Sequence, residues 1–264
     1  MTYFDAASLH GELGNADKAI ALSEKCLRYP LHEWERISCL TILADAFRRA
    51  EQYDKAHRTL AEAIQFAGRY KTTLANLYLH LGKVQRLSGP VANPQHLMKA
   101  QHTFQQAMLA LEADPYQQQK SELCSDIYLN LAAVCYELGD FKGAAATCEE
   151  ALQSVPQDHR NFCEAQVCLG QCHQAEGSYT KAQSYFEKVF ATSYSSKDQK
   201  FRARESLARS LYELREYRKA SETLKELVLS YPQDDPVRLA KFFGLGIARK
   251  VWEIMVRRGR PMKK

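Results

Sequence analysis

Residues 128–156 read YLNLAAVCYELGDFKGAAATCEEALQSVP, and this stretch decides how the rest of the chain is interpreted. Before Gly139-Asp140, the apolar residues Tyr128, Leu131, Ala132 and Cys135 recur at helical spacing. After it, Phe141, Ala144, Cys148, Ala151 and Leu152 do the same. That period places each set on one face of a helix, and the Gly-Asp dipeptide marks a turn between the two. Helices this short do not hold together or bury a stripe alone, so the pair requires neighbours on both sides.

Such neighbours are present along the chain. Ala19, Ala56, Ala100, Ala144, Ala182 and Ala220 mark successive second helices, at spacings of 37, 44, 44, 38 and 38 residues. The order large, small, turn, small, large and closing Pro resembles the tetratricopeptide repeat, with Tyr128 where the family usually has Trp and Ala132 where it has Gly. The resemblance implies an all-α, right-handed superhelical solenoid of about six such hairpins, at about 1–34, 35–72, 73–118, 121–157, 160–196 and 199–235. A C-terminal apolar and basic segment, 236–264, follows. The spacings exceed the standard repeat of about 34 residues and are similar to the extended variants of bacterial regulators and kinesin light chains. Part of the excess lies between Ser88 and Pro94, where two prolines forbid a continuous helix.

The last stretch is expected to be a helix over about 237–258, with Asp235 as N-cap and Pro236 at the first helical position. Phe242, Phe243, Leu245, Val251, Trp252 and Ile254 give it more than one apolar stripe. A terminal cap should be polar on its outer face. This helix is therefore expected to be covered, by self-association through Phe242, Phe243 and Trp252 or by an array that continues.

With 45% hydrophobic and 25% charged residues, the composition is that of an ordinary folded protein. No run of about 18 apolar residues and no leader pattern is present, so a cytoplasmic location is expected, with a nuclear one as the alternative. The eight cysteines fall inside the helical pattern and read as reduced, small hydrophobes. Cys163, Cys168, Cys172 and His173 are metal-ligand types, but helical geometry makes them diverge, and no C-x-x-C is present. No phosphate-binding glycine loop, H-E-x-x-H or G-x-S-x-G occurs. The expectation is a non-enzymatic chain with no cofactor and no metal.

The family resemblance implies a partner-binding groove lined by the first helices. Carried over position by position, it places Ser38, Thr41, Asp45, Arg48 and Arg49 there, then Asn76, Leu79, His80, Lys83 and Arg86. The fourth unit adds Asp126, Leu129, Asn130, Ala133, Tyr136 and Glu137, the fifth Glu164, Val167, Gln171 and Gln174, and the sixth Arg202, Glu205, Arg209, Tyr212 and Glu213. Arg48, Arg49, Lys83 and Arg86 suit carboxylate or phosphate oxygens, so an acidic or phosphorylated peptide is one expected partner. The alternative is that they are solvated helix-face charges. The carboxylate clamp of chaperone-tail receptors is missing, since its positions hold Thr41/Asp45, Leu79/Lys83 and Leu129/Ala133. The leading expectation is a scaffold that binds a peptide or helix in this groove and assembles a larger complex. The other is a regulatory or nucleic-acid-associated module using the basic tail, Arg257 and Arg258 included.

Overall fold

The computed structural model describes residues 2–89, 93–114 and 121–230. The expected C-terminal helix, with Phe242, Phe243, Trp252, Arg257 and Arg258, lies outside them. Apart from a short 3-10 turn at Ala67–Arg69, the regular structure of the described residues is α-helical. It divides into two compact units, Met1–Asp140 and Phe141–Lys264.

The first unit holds α1 (Tyr3–Glu12), α2 (Ala16–Cys26), α3 (Glu33–Arg49), α4 (Tyr53–Phe66), α5 (Lys71–Ser88), α6 (Pro94–Glu112) and α7 (Ser121–Glu137). The second holds α8 (Phe141–Ser154), α9 (Arg160–Ala175), α10 (Tyr179–Ala191), α11 (Lys197–Glu213) and α12 (Tyr217–Ser230). Within each unit consecutive helices pack on one another, and first helices also touch: α1 on α3, α3 on α5 and α5 on α7 in the first unit, α9 on α11 in the second. Within each unit the core crosses from one hairpin to the next. Ala56, Leu60 and Ala63 of α4 share a cluster with Leu77 and Val84 of α5, and Val189 of α10 shares one with Ala203 and Leu207 of α11.

A small residue on each first helix sets the register: Ala7, Ala44, Gly82, Ala132, Gly170 and Ala208. Where it is glycine, a phenylalanine ring occupies the missing side chain's place. A Cβ on Gly82 would lie 2.4 Å from Cε1 of Phe104, and one on Gly170 2.4 Å from Cε1 of Phe186. Where it is Ala44 or Ala208, the corresponding second-helix residue is the slimmer Leu60 or Leu224.

Five first helices end in the same way. The N–H groups of Asn15, Gln52, Asp140, Ser178 and Glu216 bond to the carbonyls of His10, Phe47, Cys135, His173 and Leu211, at 2.8–2.9 Å. This is the 6→1 bond of a Schellman cap, which requires a left-handed residue just before the donor. Gly14, Gly139 and Gly177 supply it with φ of 77°, 83° and 76°; Glu51 and Arg215 adopt it at 58° and 63° without being glycine. The third hairpin differs: α5 ends at Ser88, and α6 restarts at Pro94 behind Asn93, whose side chain accepts from the Gln95 N–H at 3.0 Å. That longer connection, together with nearly a full extra turn at the start of α6 before Ala100, accounts for the wide spacing.

Candidate functional site

First helices carry two kinds of position, and the packing separates them. Leu79, Leu129 and Val167, which the family pattern put on the groove, are 2%, 8% and 0% exposed and belong to the interior. They are apolar residues three positions before the small residue, where the neighbouring helices close over them. Six positions before it lie Ser38, Asn76 and Asp126 in the first unit, and these remain accessible.

There the first helices enclose a cavity of about 570 Å³. Phe4 of α1, Ile37, Ser38, Thr41 and Ile42 of α3, Thr72, Thr73 and Asn76 of α5, and Glu122, Leu123 and Asp126 of α7 line it. Its hydroxyl donors are largely committed: Ser38 Oγ donates to the Trp34 carbonyl at 2.9 Å, Thr41 Oγ1 to that of Ile37 at 2.8 Å, and Thr72 Oγ1 to the Asp114 carboxylate. The oxygens that face the cavity thus act as acceptors, beside the carboxylates of Glu122 and Asp126.

The expected cationic group forms next to this cavity, with carboxylates built into it. Asp45 accepts from Arg48 Nε and Nη2 at 2.9 and 2.6 Å and from Arg49 Nε at 2.7 Å. Burial raises the Asp45 pKa, but the two guanidinium groups outweigh it and hold the carboxyl below its usual range. Arg86 Nη1 lies 3.9 Å from Glu137. Lys83 is lowered by burial, with Asp126 opposing. His80 sits among Lys83, Asp45, Arg48 and Asp126; burial first, then the Lys83 charge, depresses it to about 4, and its Nδ1 is enclosed without a hydrogen-bond partner. The ring is neutral at pH 7. Four cations thus face three carboxylates, and the group is close to self-compensated.

In the second unit the same register is closed. Glu164 and Arg202, both six before the small residue, form an ion pair, and Gln199 Nε2 donates to the Arg160 carbonyl at 3.0 Å and to Glu164 at 3.3 Å. Gln174 Nε2 ties α9 to α11 through the Ser206 carbonyl and Ser210 Oγ, at 2.8 and 2.9 Å. Of the remaining expected groove residues, Asn130 donates to the Asp126 carbonyl of its own helix at 2.7 Å. Tyr136 and Arg209 are exposed, Gln171 is half-buried, and Tyr212 packs edge-on against Tyr217 with ring centroids 5.4 Å apart.

The eight cysteines are free, and six are buried. Cys148 of α8 contacts both Cys168 and Cys172, and these contacts followed by burial hold its thiol well above the usual range. His173 stacks on Tyr185 of α10 with ring centroids 5.4 Å apart. Among the described residues, no group of three His, Cys, Asp or Glu side chains is placed to hold a metal ion, and no helix is long and apolar enough to cross a membrane.

Tetratricopeptide repeat family models match residues 2–30, 96–159 and 173–241. The chain is a tetratricopeptide repeat protein. The apo form of RapI shares the fold at a TM-score of 0.71 with 10% identity, over 97% of this chain and 74% of that one. PilW, a type IV pilus biogenesis factor, matches at 0.67 with 18% identity, over 90% and 96%. A thermophilic repeat protein from Thermus thermophilus matches at 0.56 with 18% identity, over 78% and 97%. No curated protein sequence gives a significant match. Tetratricopeptide repeat proteins generally act as protein–protein interaction scaffolds and are typically non-catalytic.

Proposed function

We propose that this tetratricopeptide repeat protein is a non-catalytic scaffold whose first-unit cavity receives a peptide or helical segment of a partner protein. The reading is carried by the contrast between the two units. At one register the second unit closes on itself through Glu164 and Arg202, while the first places short Ser38 and Asn76 there and leaves the cavity open. The acceptor-rich lining favours a segment that donates, with a Lys or Arg side chain entering between Ser38, Thr41 and Glu122. This departs from the acidic or phosphorylated partner suggested by the basic residues, because Arg48, Arg49 and Arg86 already face Asp45 and Glu137.

The test is peptide-display selection on the intact protein, with the selected peptides rebound to Ser38→Glu/Asn76→Arg. That pair imitates the closed register of the second unit and fills the cavity from the side of α3 and α5. Enriched Lys or Arg, with binding lost on the filled variant at unchanged helicity, is the expected result. Enrichment of acidic or phosphorylated peptides, or equal binding to both proteins, would refute it.

A further inference from the structure

The repeats carry an internal standard for what a first helix must bury. Two residues past the small residue, the structure has Ala46, Val84, Val134, Cys172 and Ser210, and each is 0–1% exposed. In every case a second helix precedes and packs on that first helix: α2 on α3, α4 on α5, α6 on α7, α8 on α9 and α10 on α11. The residue at this register in α1 is Leu9, and it is 45% exposed. Leu13, one turn on and on the same face, is 65% exposed. A face that is closed five times over by this chain's own second helices is therefore uncovered, among the described residues, on the first hairpin.

Charge points to what covers it. Helix α1 carries Asp5 and Glu12 and no Lys or Arg, and the whole first hairpin, Tyr3–Cys26, has four carboxylates against Lys18 and Lys25. Residues 237–264 contain nine Lys and Arg against one Glu, interleaved with the apolar residues that gave this segment more than one stripe. It matches the first hairpin in both respects, offering apolar side chains to Leu9 and Leu13 and cations to the carboxylates around them.

We propose that the α1 face around Leu9 is an assembly surface that receives the C-terminal segment, residues 237–264, of a second copy of this chain. The contact is head-to-tail and repeats the stacking of the internal hairpins. Each copy keeps one face and one segment available, so association proceeds to chains longer than dimers, and it weakens with salt because the charges lie at the rim.

The test is sedimentation of the full-length protein over a range up to about 100 μM, a span that reveals weak contacts. Three proteins are compared: wild type, Leu9→Arg, and Phe242→Glu/Phe243→Glu/Trp252→Glu. Leu9 is half exposed, so its replacement leaves the fold intact, and circular dichroism checks all three. Wild type should grow with concentration, and each variant should stay monomeric. An equimolar mixture of the two variants should give 1:1 dimers and nothing larger, because one protein supplies the segment and the other the face. A monomeric wild type, growth of Leu9→Arg equal to wild type, or a mixture that stays monomeric would each overturn the proposal. Should the triple variant lose helicity, a photo-crosslinker at position 9 replaces it. Its adducts must then fall within residues 237–264 of the other copy, and adducts elsewhere alone would refute the pairing.

Discussion

Replacing Gly170 with Ala is expected to destabilise the protein, although the same change in an exposed helix interior would stabilise it by about 1 kcal/mol. The reason is Phe186. A Cβ at position 170 would stand 2.4, 2.7 and 2.8 Å from Cε1, Cζ and Cδ1 of its ring, and Phe186 is 0% exposed. The ring has to retreat by about 1 Å to reach ordinary carbon–carbon contact, into a region already filled by the Val167, Ala182 and Val189 cluster. Overpacking of this kind costs about 1–3 kcal/mol, which offsets the gain in helix propensity and leaves a net loss. In a Phe186→Leu background, the geometry becomes that of Ala208 opposite Leu224, and Gly170→Ala should then stabilise by about 1 kcal/mol. The four proteins form a double-mutant cycle with a coupling of about 1–3 kcal/mol, read by urea denaturation followed by circular dichroism. Additive effects, or stabilisation by Gly170→Ala in both backgrounds, would show that ring and glycine do not share this space.

His80 is neutral when folded, with its pKa depressed from 6.5 to about 4, while the unfolded chain takes up its proton first. Stability should therefore fall as pH drops from about 6.5 to about 4, by at most about 3 kcal/mol, and His80→Gln should remove that portion of the pH dependence in denaturant titrations. Gln174→Ala should cost about 1–2 kcal/mol by removing the bonds to Ser206 and Ser210, seen as a lower urea midpoint. Glu51→Gly and Arg215→Gly should each raise the midpoint, since a side chain held at φ of 58° or 63° costs about 1–2 kcal/mol that glycine avoids.

The repeat was legible because its signals are local. Small residues at fixed register, apolar steps of three and four, and glycines at the caps all lie within one hairpin. The caps at Glu51 and Arg215 were not, because the left-handed conformation is imposed there by the hydrogen bond to the end of the preceding helix and not by residue type. The four cations were read as available to an acidic partner; the pairing of Asp45 with Arg48 and Arg49, which follows from spacings of three and four on one helix, was not used in that reading. The approach of Arg86 to Glu137 and of Cys148 to Cys168 and Cys172 joins different helices, and spacing alone does not predict such contacts. Leu79, Leu129 and Val167 were placed on the groove by family position; their apolar side chains show why they turned inward instead.

If the proposed cavity is the binding site, fold and recognition occupy different rows of the same helices. The positions five before and two after the small residue are buried from α3 onward, so any residue there answers to packing: Leu77 and Val84 do so in α5, Ala165 and Cys172 in α9. The position six before it faces away from that interior, and its occupants differ from one hairpin to the next: Ser38, Asn76, Asp126, Glu164 and Arg202. Where two long, oppositely charged side chains fall on neighbouring helices, they close on each other, as Glu164 and Arg202 do. Where Ser38 and Asn76 fall on neighbouring helices, neither is long enough to close the space, and the cavity beside Asp126 stays open. Substitution along this row leaves the core untouched, so binding specificity can change there without any loss of the repeat. Leu9 lies on the packing row with no preceding second helix among the described residues to cover it, so its exposure belongs to the proposed assembly surface and not to the groove.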